Sequence, residues 1–352
     1  MKILFVDNSC EGHHCEYMAC LVQSKSYDSI LIIPNYIPHL EPTKQYLCRY
    51  NIEKKNPVNY LRFLTYVMKV AAAEKADIIH FLSIDPMIKY FGIGLSRICK
   101  QYKIIVTFHH FKYSKLHTIA RQAIAHNCTY VVVHTSSLKN VACDEKIKNC
   151  IHIEYPNFKK PRNISKEEAR RYFDIENDSI PVIGAIGGTR INKGLDILLS
   201  ALKNVETDFY LLVAGKAEAF DEKYIQNETE TYKERIRLRL KYLSDEEVNM
   251  AMVASDIIAL PYRKSFDGAS GPLAEGVTLG KMILSADHGS LGNLVKTNHL
   301  GITFQSENIS DLSRALEESL KGEWKPDKEY RNYQESLSPE YFLEKYRQLY
   351  FK

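Results

Sequence analysis

Residues 184–202, "GAIGGTRINKGLDILLSAL", place glycines and two basic residues between an apolar run and a run with apolar residues at helical spacing. The pattern predicts a strand, a tight turn and a helix whose N-terminus presents free N–H groups and a positive partial charge. Arg190 and Lys193 add two cations, so the turn could hold a diphosphate. An ordinary strand-to-helix turn with two surface cations has the same pattern. The stretch is neither a Walker A loop nor a G-x-G-x-x-G fingerprint.

A second group of residues, 261–289, contains another glycine-bearing loop that leads into a helix. Gly271 and Pro272 stand at the helix start, where proline loses no hydrogen bond. Asp267 and Glu275 are eight residues apart and place two carboxylates beside the exposed amides of the loop. Carboxylates accept hydrogen bonds from hydroxyl groups. A ligand with a phosphate between two diols, such as a nucleotide sugar, fits this arrangement. Two surface acids in a loop would give the same sequence pattern.

The elements that must position these residues are short β-branched runs separated by helical patterns. Parallel strands are predicted at 2–6, 28–34, 77–82, 103–108, 129–134, 180–187, 208–215, 255–262, 281–286 and 301–304. A helix is predicted at 60–76, and Ser165 with Glu168 predicts a capped helix start after a linker with two prolines. This alternation is typical of doubly wound α/β domains, and the length of 352 residues favours two of them.

Composition excludes several classes of protein. With 45% hydrophobic and 26% charged residues the chain is globular, and no uncharged apolar run is long enough for a membrane span. The first residues read as a strand rather than a signal peptide, so we expect a cytoplasmic protein. The eight cysteines show no C-x-x-C pair and no zinc spacing, so reduced thiols and no metal site are expected.

Charge differs between the two halves of the chain. Residues 1–160 carry 21 Lys and Arg against 12 Asp and Glu, whereas residues 161–352 carry 26 against 31. Basic clusters at 49–56 and 97–103 face either solvent or an anionic surface such as a lipid membrane or a charged acceptor. No nucleic-acid motif accompanies them.

In these residues and their order, the chain resembles the retaining GT-B fold glycosyltransferases of family 4, which are also called glycosyl transferases group 1. The resemblance runs through residues 180–320, in "GGTRINKGLDILLSAL", "YLSDEEVNMAMVASDIIALPY" (242–262) and "DGASGPLAEGVTLGKMIL" (267–284). It implies two Rossmann-like doubly wound domains facing a cleft. The expected domains are an acceptor-side domain at 1–160, a donor domain at 161–335, and a C-terminal helix at 336–352 that crosses back to the first domain.

The resemblance also implies roles for residues. Arg190 and Lys193 would neutralise the diphosphate leaving group, and Glu275 would bind the ribose hydroxyls. The family's Glu-x7-Glu motif appears as Asp267 and Glu275, with the first acid one methylene shorter. His109 would stand beside the donor sugar, although a strand-end histidine with a structural bond is the alternative, and His110 would be a bystander. The remaining donor-binding residues are expected to be Gly12, Gly187, Gly188, Thr189, Gly268, Ala269, Ser270 and Gly271.

The function implied is retaining transfer of a sugar from a nucleoside-diphosphate sugar to an acceptor hydroxyl, without a metal or other cofactor. Family habit and charge favour a glycan or lipid-linked acceptor in cell-envelope polysaccharide synthesis, with peripheral contact to an anionic membrane. Glu11, His13 and His14 would meet the acceptor or serve only the structure. Three alternatives remain open: a non-transferring nucleotide-sugar enzyme such as an epimerase, a catalytically silent homologue, and an NAD-dependent dehydrogenase. The last lacks the dinucleotide fingerprint after the first strand.

Overall fold

The computed structural model describes residues 1–9, 13–40, 43–52, 56–159, 162–266 and 270–352. These residues divide into two units. The first unit consists of Met1–Phe158 together with Pro339–Lys352, and the second of Lys159–Ser338.

Each unit is built on one sheet. The strands are β1 (Lys2–Val6), β2 (Asp28–Ile33), β3 (Lys44–Leu47), β4 (Ile78–Phe81), β5 (Lys103–Phe108), β6 (Tyr130–Val133), β7 (Cys150–His152), β8 (Val182–Ile186), β9 (Tyr210–Ala214), β10 (Ile236–Arg239), β11 (Ile257–Leu260), β12 (Met282–Ala286) and β13 (Gly301–Phe304). Their order is β3-β2-β1-β4-β5-β6-β7 in the first unit and β10-β9-β8-β11-β12-β13 in the second. All pairs among the described strands are parallel.

Helices connect the strands. They are α1 (His13–Val22), α2 (Pro57–Glu74), α3 (Leu95–Ile98), α4 (Lys115–His126), α5 (Ser136–Asp144), α6 (Lys166–Tyr172), α7 (Leu195–Leu202), α8 (Glu222–Glu228), α9 (Asp245–Ala254), α10 (Gly271–Thr278), α11 (Gly289–Thr297), α12 (Ile309–Lys321), α13 (Lys328–Ser336) and α14 (Pro339–Phe351). Two Rossmann-like doubly wound domains of the GT-B type result, which confirms the predicted fold class. None of the helices within the described ranges combines the length and apolar character that crossing a membrane requires.

The chain takes the same path through both sheets. In the first, it runs outward from β1 to β3 and then returns to the other side of β1 with β4. In the second, β8, β9 and β10 run outward and β11 returns beside β8. Ligands of open α/β sheets bind at the carboxyl ends of the strands where the direction reverses. For the second unit, this point lies between the loops that follow β8 and β11.

All ten predicted strands are present, with ends that differ by at most two residues. The strands that the sequence pattern missed are β3, β7 and β10, and each lies at an edge of its sheet. Edge strands are half exposed and carry polar side chains, as "KQYL" and "IRLR" do. Buried parallel strands are apolar throughout, so the inner strands gave the expected signal, as did the edge strand β13 with its mostly apolar sequence "GITF".

Apolar side chains cover both faces of each sheet. In the first unit, α2, α4 and α5 pack on one face and α1 and α14 on the other. Helix α14 is held there by polar contacts as well: the hydroxyls of Tyr346 and Tyr17 lie 2.5 Å apart, and the Tyr350 hydroxyl lies 2.8 Å from Nδ1 of His80. The Ser165 cap predicted for α6 is present, since its hydroxyl accepts the Glu168 N–H at 3.1 Å.

Candidate functional site

The turn after β8 lies where the second sheet reverses direction. Gly187 has φ +117°, a conformation that side chains other than glycine rarely adopt, and its N–H donates to Ala214 at 2.8 Å. The N–H of Gly188 has no acceptor among the described residues. An unpaired amide at a helix-leading turn is a donor available to an anion.

The Thr189 side chain is turned away from the predicted anion position. Its hydroxyl donates to the carbonyl of Phe220 at 2.8 Å and accepts the N–H of Glu218 at 2.8 Å. Thr189 is 3% exposed, so these bonds fix the loop at 218–220 against the turn after β8. The loop in turn places the Glu218 carboxylate 3.7 Å from Nε of Arg190.

The two predicted cations differ in their surroundings. The Arg190 side chain is 54% exposed, and its one ion pair within the described ranges is the long contact to Glu218. The Lys193 side chain folds back over the turn, so that a Cβ built on Gly187 would lie 2.5 Å from its Nζ. Burial, and secondarily the charge of Arg190, lower the pKa of Lys193 below its usual value. A bound anion would offset this electrostatic cost.

The loop after β11 meets the same turn through Tyr262. Nζ of Lys193 lies 6.0 Å from the centre of the buried Tyr262 ring. The Tyr262 hydroxyl lies 3.3 Å from Oγ of Ser270, which caps α10 by accepting the Leu273 N–H. Tyr262 therefore joins the two segments that the sequence analysis placed in the donor site.

Backbone contacts hold these two loops together. Gly194 has φ +67°, and a side chain there would overlap the carbonyl oxygen of Pro261. The Arg263 N–H donates to the Asn192 carbonyl at 2.9 Å, and its guanidinium bonds the Asp196 carboxylate at 2.6 Å in the first turn of α7. The start of α7 is thus fixed beside the end of β11.

Glu275 turns back toward the start of α10. Its Oε1 would lie 3.8 Å from a Cβ on Gly271, and the Gly271 N–H has no acceptor among the described residues. The same Oε1 lies 3.1 Å from Nζ of Lys159, which also contacts Asp245 at 3.1 Å. The carboxylate predicted to bind hydroxyl groups is therefore paired with an ammonium group at the start of the second unit.

Burial sets the electrostatics of this pair. It raises the pKa of Glu275, whose side chain is 16% exposed, while Lys159 opposes the rise. The pKa of Lys159 is raised because its two carboxylate partners together outweigh its own partial burial. Lys159 therefore helps to keep Glu275 ionised, which is the state that accepts two hydroxyl hydrogen bonds.

Several predicted site residues stand outside this cluster. Gly12, Asp267, Gly268, Ala269 and Glu11 lie outside the described residues, so the shortened acidic motif is tested only at Glu275.

The predicted histidines lie in the first unit. His109 follows β5, and its Nε2 lies 2.8 Å from the Leu82 carbonyl. The N–H groups of His109 and His110 donate to Asp85. The contact of the His109 ring with the Leu82 carbonyl is a structural bond of the kind that the sequence analysis gave as the alternative for His109. His13 and His14 are in α1, at its first turn.

Sequence reasoning missed three contributors to the cluster: Lys159, Tyr262 and Gly215. Gly215 directly follows β9 with φ +147°, and a side chain there would overlap the carbonyl of Gly187. A glycine directly after a buried strand was the available signal for it. Lys159 belongs to a basic cluster in a linker and carries no pattern that points to Glu275, which is 116 residues away.

Comparison with known families assigns both halves of the chain. Residues 165–336 match the family described as "Glycosyl transferases group 1", and residues 2–131 match "Glycosyl transferase 4-like". The chain belongs to the group 1 glycosyltransferases. The predicted family, also called GT4, is confirmed.

Two curated relatives match part of the chain. A glycogen synthase of Desulfitobacterium hafniense is 26% identical over an alignment of 152 residues, which covers 41% of this chain and 32% of the relative. An uncharacterized glycosyltransferase of Methanocaldococcus jannaschii is 25% identical over 138 residues, which are 39% of this chain and 38% of the relative. The matched segment thus spans about a third of the length of each relative.

Solved structures resemble the fold along nearly its whole length. A glycosyltransferase from Rickettsia africae has a TM-score of 0.74 at 17% identity, covering 99% of this chain and 97% of the other. Anabaena HepE, solved in complex with UDP, has a TM-score of 0.71 at 15% identity, with 99% of both chains covered. At these identities the likeness establishes the GT-B fold.

Proposed function

We propose that this GT4 member transfers a glycosyl group from a nucleoside-diphosphate sugar to an acceptor hydroxyl, with retention at the anomeric carbon. The observation that carries the proposal is the convergence of two helix starts on Tyr262. One brings the cations Arg190 and Lys193, and the other brings Ser270 and the carboxylate of Glu275. A diphosphate needs the first set and a ribose needs the second.

In this proposal the diphosphate lies at the turn after β8. The N–H groups of Gly188 and Gly271 donate to its oxygens, and Lys193 and Arg190 neutralise the charge that develops as the sugar departs. Gly187 allows the backbone to approach closely. Glu275 accepts hydrogen bonds from the ribose, with Lys159 holding it ionised. Charge neutralisation by two cations and oriented amides requires no divalent metal.

The sugar end of the donor is assigned by family resemblance. The resemblance assigns the sugar hydroxyls to Asp267, which lies outside the described residues, and it gives Gly12, Gly268, Ala269 and His109 as further donor-binding residues. The Thr189 hydroxyl is engaged with Phe220, so its contribution is to fix the loop. A front-face reaction, in which the departing phosphate takes the acceptor proton, asks the protein for positioning and charge stabilisation.

We further propose UDP-sugars as the first donors to test, because the similar HepE was solved with UDP and with UDP-glucose. A glycan or lipid-linked acceptor in cell-envelope polysaccharide synthesis fits the basic first half of the chain. A cytoplasmic protein at the inner face of the membrane would meet such acceptors.

The test begins with a thermal-shift panel of UDP-, GDP- and ADP-sugars, since a ligand that binds only the folded state raises its stability by RT ln(1 + [L]/Kd). The donor that stabilises the protein is then incubated with acceptor glycans, and the anomeric configuration of the product is read by NMR. We expect a retained product, equally formed in EDTA. An inverted product would refute the mechanism.

Matched variants make the outcome specific. Arg190→Ala/Lys193→Ala should lose the thermal shift, whereas Lys203→Ala, which removes a cation paired with Glu228 away from the turn, should keep it. Donor binding without turnover on any acceptor would favour a catalytically silent homologue. Conversion of the donor sugar without an acceptor would favour an epimerase.

A further inference from the structure

We propose that the outer surface of α2, of the turn at Phe91–Gly94 and of the start of α4 docks onto an anionic lipid bilayer. We call this surface the α2–α4 face. The proposal concerns the first unit alone and stands independently of the transfer reaction. It specifies where the basic half of the chain would meet a membrane.

The three segments are neighbours on one side of the first sheet. The N–H of Asn56, which caps α2, donates to the Tyr90 hydroxyl at 2.8 Å, and the Tyr60 hydroxyl donates to the Ile93 carbonyl at 2.8 Å. On the other side of the turn, a Cβ on Gly92 would lie 2.8 Å from the Ile124 side chain of α4. The turn is therefore packed between α2 and α4, and their outward residues share one surface.

That surface exposes large apolar side chains. Ile93 is 64% exposed and Leu116 is 66% exposed, in a protein whose other leucines and isoleucines are mostly buried. The exposed apolar residues of the face are Val58, Leu61, Phe91, Ile93, Leu116 and Ile119. Val58 and Leu61 are three residues apart on α2, and Leu116 and Ile119 have the same spacing on α4, so each helix presents an apolar stripe. Contiguous exposed apolar patches mark interaction sites.

The exposed charges of the three segments are positive, and the neighbouring acid Glu145, which accepts the Thr118 hydroxyl of α4, is paired with the buried Arg121. The exposed cations of the face, which have no carboxylate partner among the described residues, are Arg62, Lys69, Arg97, Lys100, Lys112 and Lys115. The acids of residues 56–126 are Glu74, Asp77 and Asp85.

Each of these acids is engaged elsewhere. Glu74 bonds Lys44 and Tyr46, Asp77 accepts the Lys2 N–H, and Asp85 accepts two N–H groups after β5. None therefore neutralises the face.

The positive charge of the α2–α4 face favours an anionic membrane over a second copy of the chain as its partner. A second copy of the chain docked by twofold symmetry would bring the same cations together without an opposing acid, which is unfavourable. A membrane with acidic headgroups offers negative charge to the cations and an acyl boundary to the aliphatic side chains, as interfacial helices require. The basic cluster at 49–56 adjoins α2 in sequence; its residues 53–55 lie outside the described residues.

Liposome flotation of the full chain tests the proposal. With vesicles of phosphatidylcholine containing 30% phosphatidylglycerol, we expect binding at 0.01 M salt that decreases at 0.15 M, as the Debye length falls from about 30 Å to 8 Å. Vesicles of phosphatidylcholine alone should bind much less. Each cation near the surface contributes about a five-fold increase in partition, so Arg97→Gln/Lys115→Gln should lower it about 30-fold.

Two further variants distinguish binding through this face from nonspecific binding to vesicles. Leu61→Glu/Ile93→Glu should abolish flotation, because it replaces two apolar side chains of the face with negative charges. Both side chains are exposed, so their replacement leaves the core intact. Tyr242→Glu changes an 85% exposed residue of the second unit in the same way and should float like the unchanged protein. Far-UV circular dichroism of each variant verifies folding.

Three results would overturn the proposal. They are no flotation at low salt, equal flotation with neutral and acidic vesicles, and equal losses in the face variants and in Tyr242→Glu. Size-exclusion chromatography with light scattering adds a fourth: a dimer that Leu61→Glu/Ile93→Glu dissociates would make the face a contact between copies.

Discussion

Gly187→Ala should weaken both the second unit and its binding of a nucleoside diphosphate. At φ +117° an alanine is strained by about 1–3 kcal/mol. Its Cβ would lie 2.5 Å from Nζ of Lys193, and because that atom ends a flexible side chain, the ammonium moves rather than the backbone. Losing one charge-assisted contact of about 1.5–3 kcal/mol raises the Kd by about 10- to 150-fold.

Gly188→Ala is the matched control for stability. Gly188 has no positive φ, and its added Cβ would meet the end of the flexible Glu218 side chain at 3.0 Å, so we expect a change within about 0.5 kcal/mol. Urea unfolding followed by the single tryptophan measures both variants, because Trp324 packs on Tyr330 within the second unit. If Gly187→Ala unfolds at the same urea concentration as Gly188→Ala and binds the nucleotide normally, the reasoning about this turn is refuted.

Further predictions concern the charged residues of the site. Arg190→Ala and Lys193→Ala should each lower turnover about 30- to 1,000-fold, or about 2–4 kcal/mol, with little loss of thermal stability; unchanged turnover at saturating donor would remove them from the mechanism. Because burial lowers the pKa of Lys193, affinity for nucleoside diphosphate should fall with rising pH already below the usual range of a lysine pKa, and Lys193→Arg should remove that fall in a calorimetric pH series. Lys159→Met should raise the pKa of Glu275 further, so that on acidification affinity for the donor is lost at a higher pH than in the unchanged protein. Glu275→Gln should abolish this dependence on acidic pH. The same loss of affinity with falling pH in all three proteins would show that the pair is not involved.

The sequence predicted the inner strands and the helix starts, because these are local properties. Buried strands such as β5 are uniformly apolar, and the Ser165 cap depends on a residue three positions away. The edge strands β3, β7 and β10 gave no such signal, since half of each faces solvent. Their pairing is decided by the neighbouring strand and the chain around it.

The candidate site divides in the same way. The turn at Gly187 with Lys193 could be predicted, because glycine, cations and helix periodicity are adjacent in sequence. The link through Tyr262 and the Lys159 ammonium on Glu275 could not, because both join residues that are distant in sequence. Thr189 was predicted to bind the donor, yet its hydroxyl is bonded to the loop at 218–220.

Isothermal titration calorimetry with UDP, GDP and ADP tests the central claim, that the turn after β8 binds the diphosphate of a nucleotide sugar. At least one nucleotide should bind the unchanged protein, and Arg190→Ala/Lys193→Ala should weaken that binding at least 30-fold, while Lys203→Ala leaves it within about two-fold. Binding of none of the three nucleotides, or equal binding by all the variants, would contradict the account.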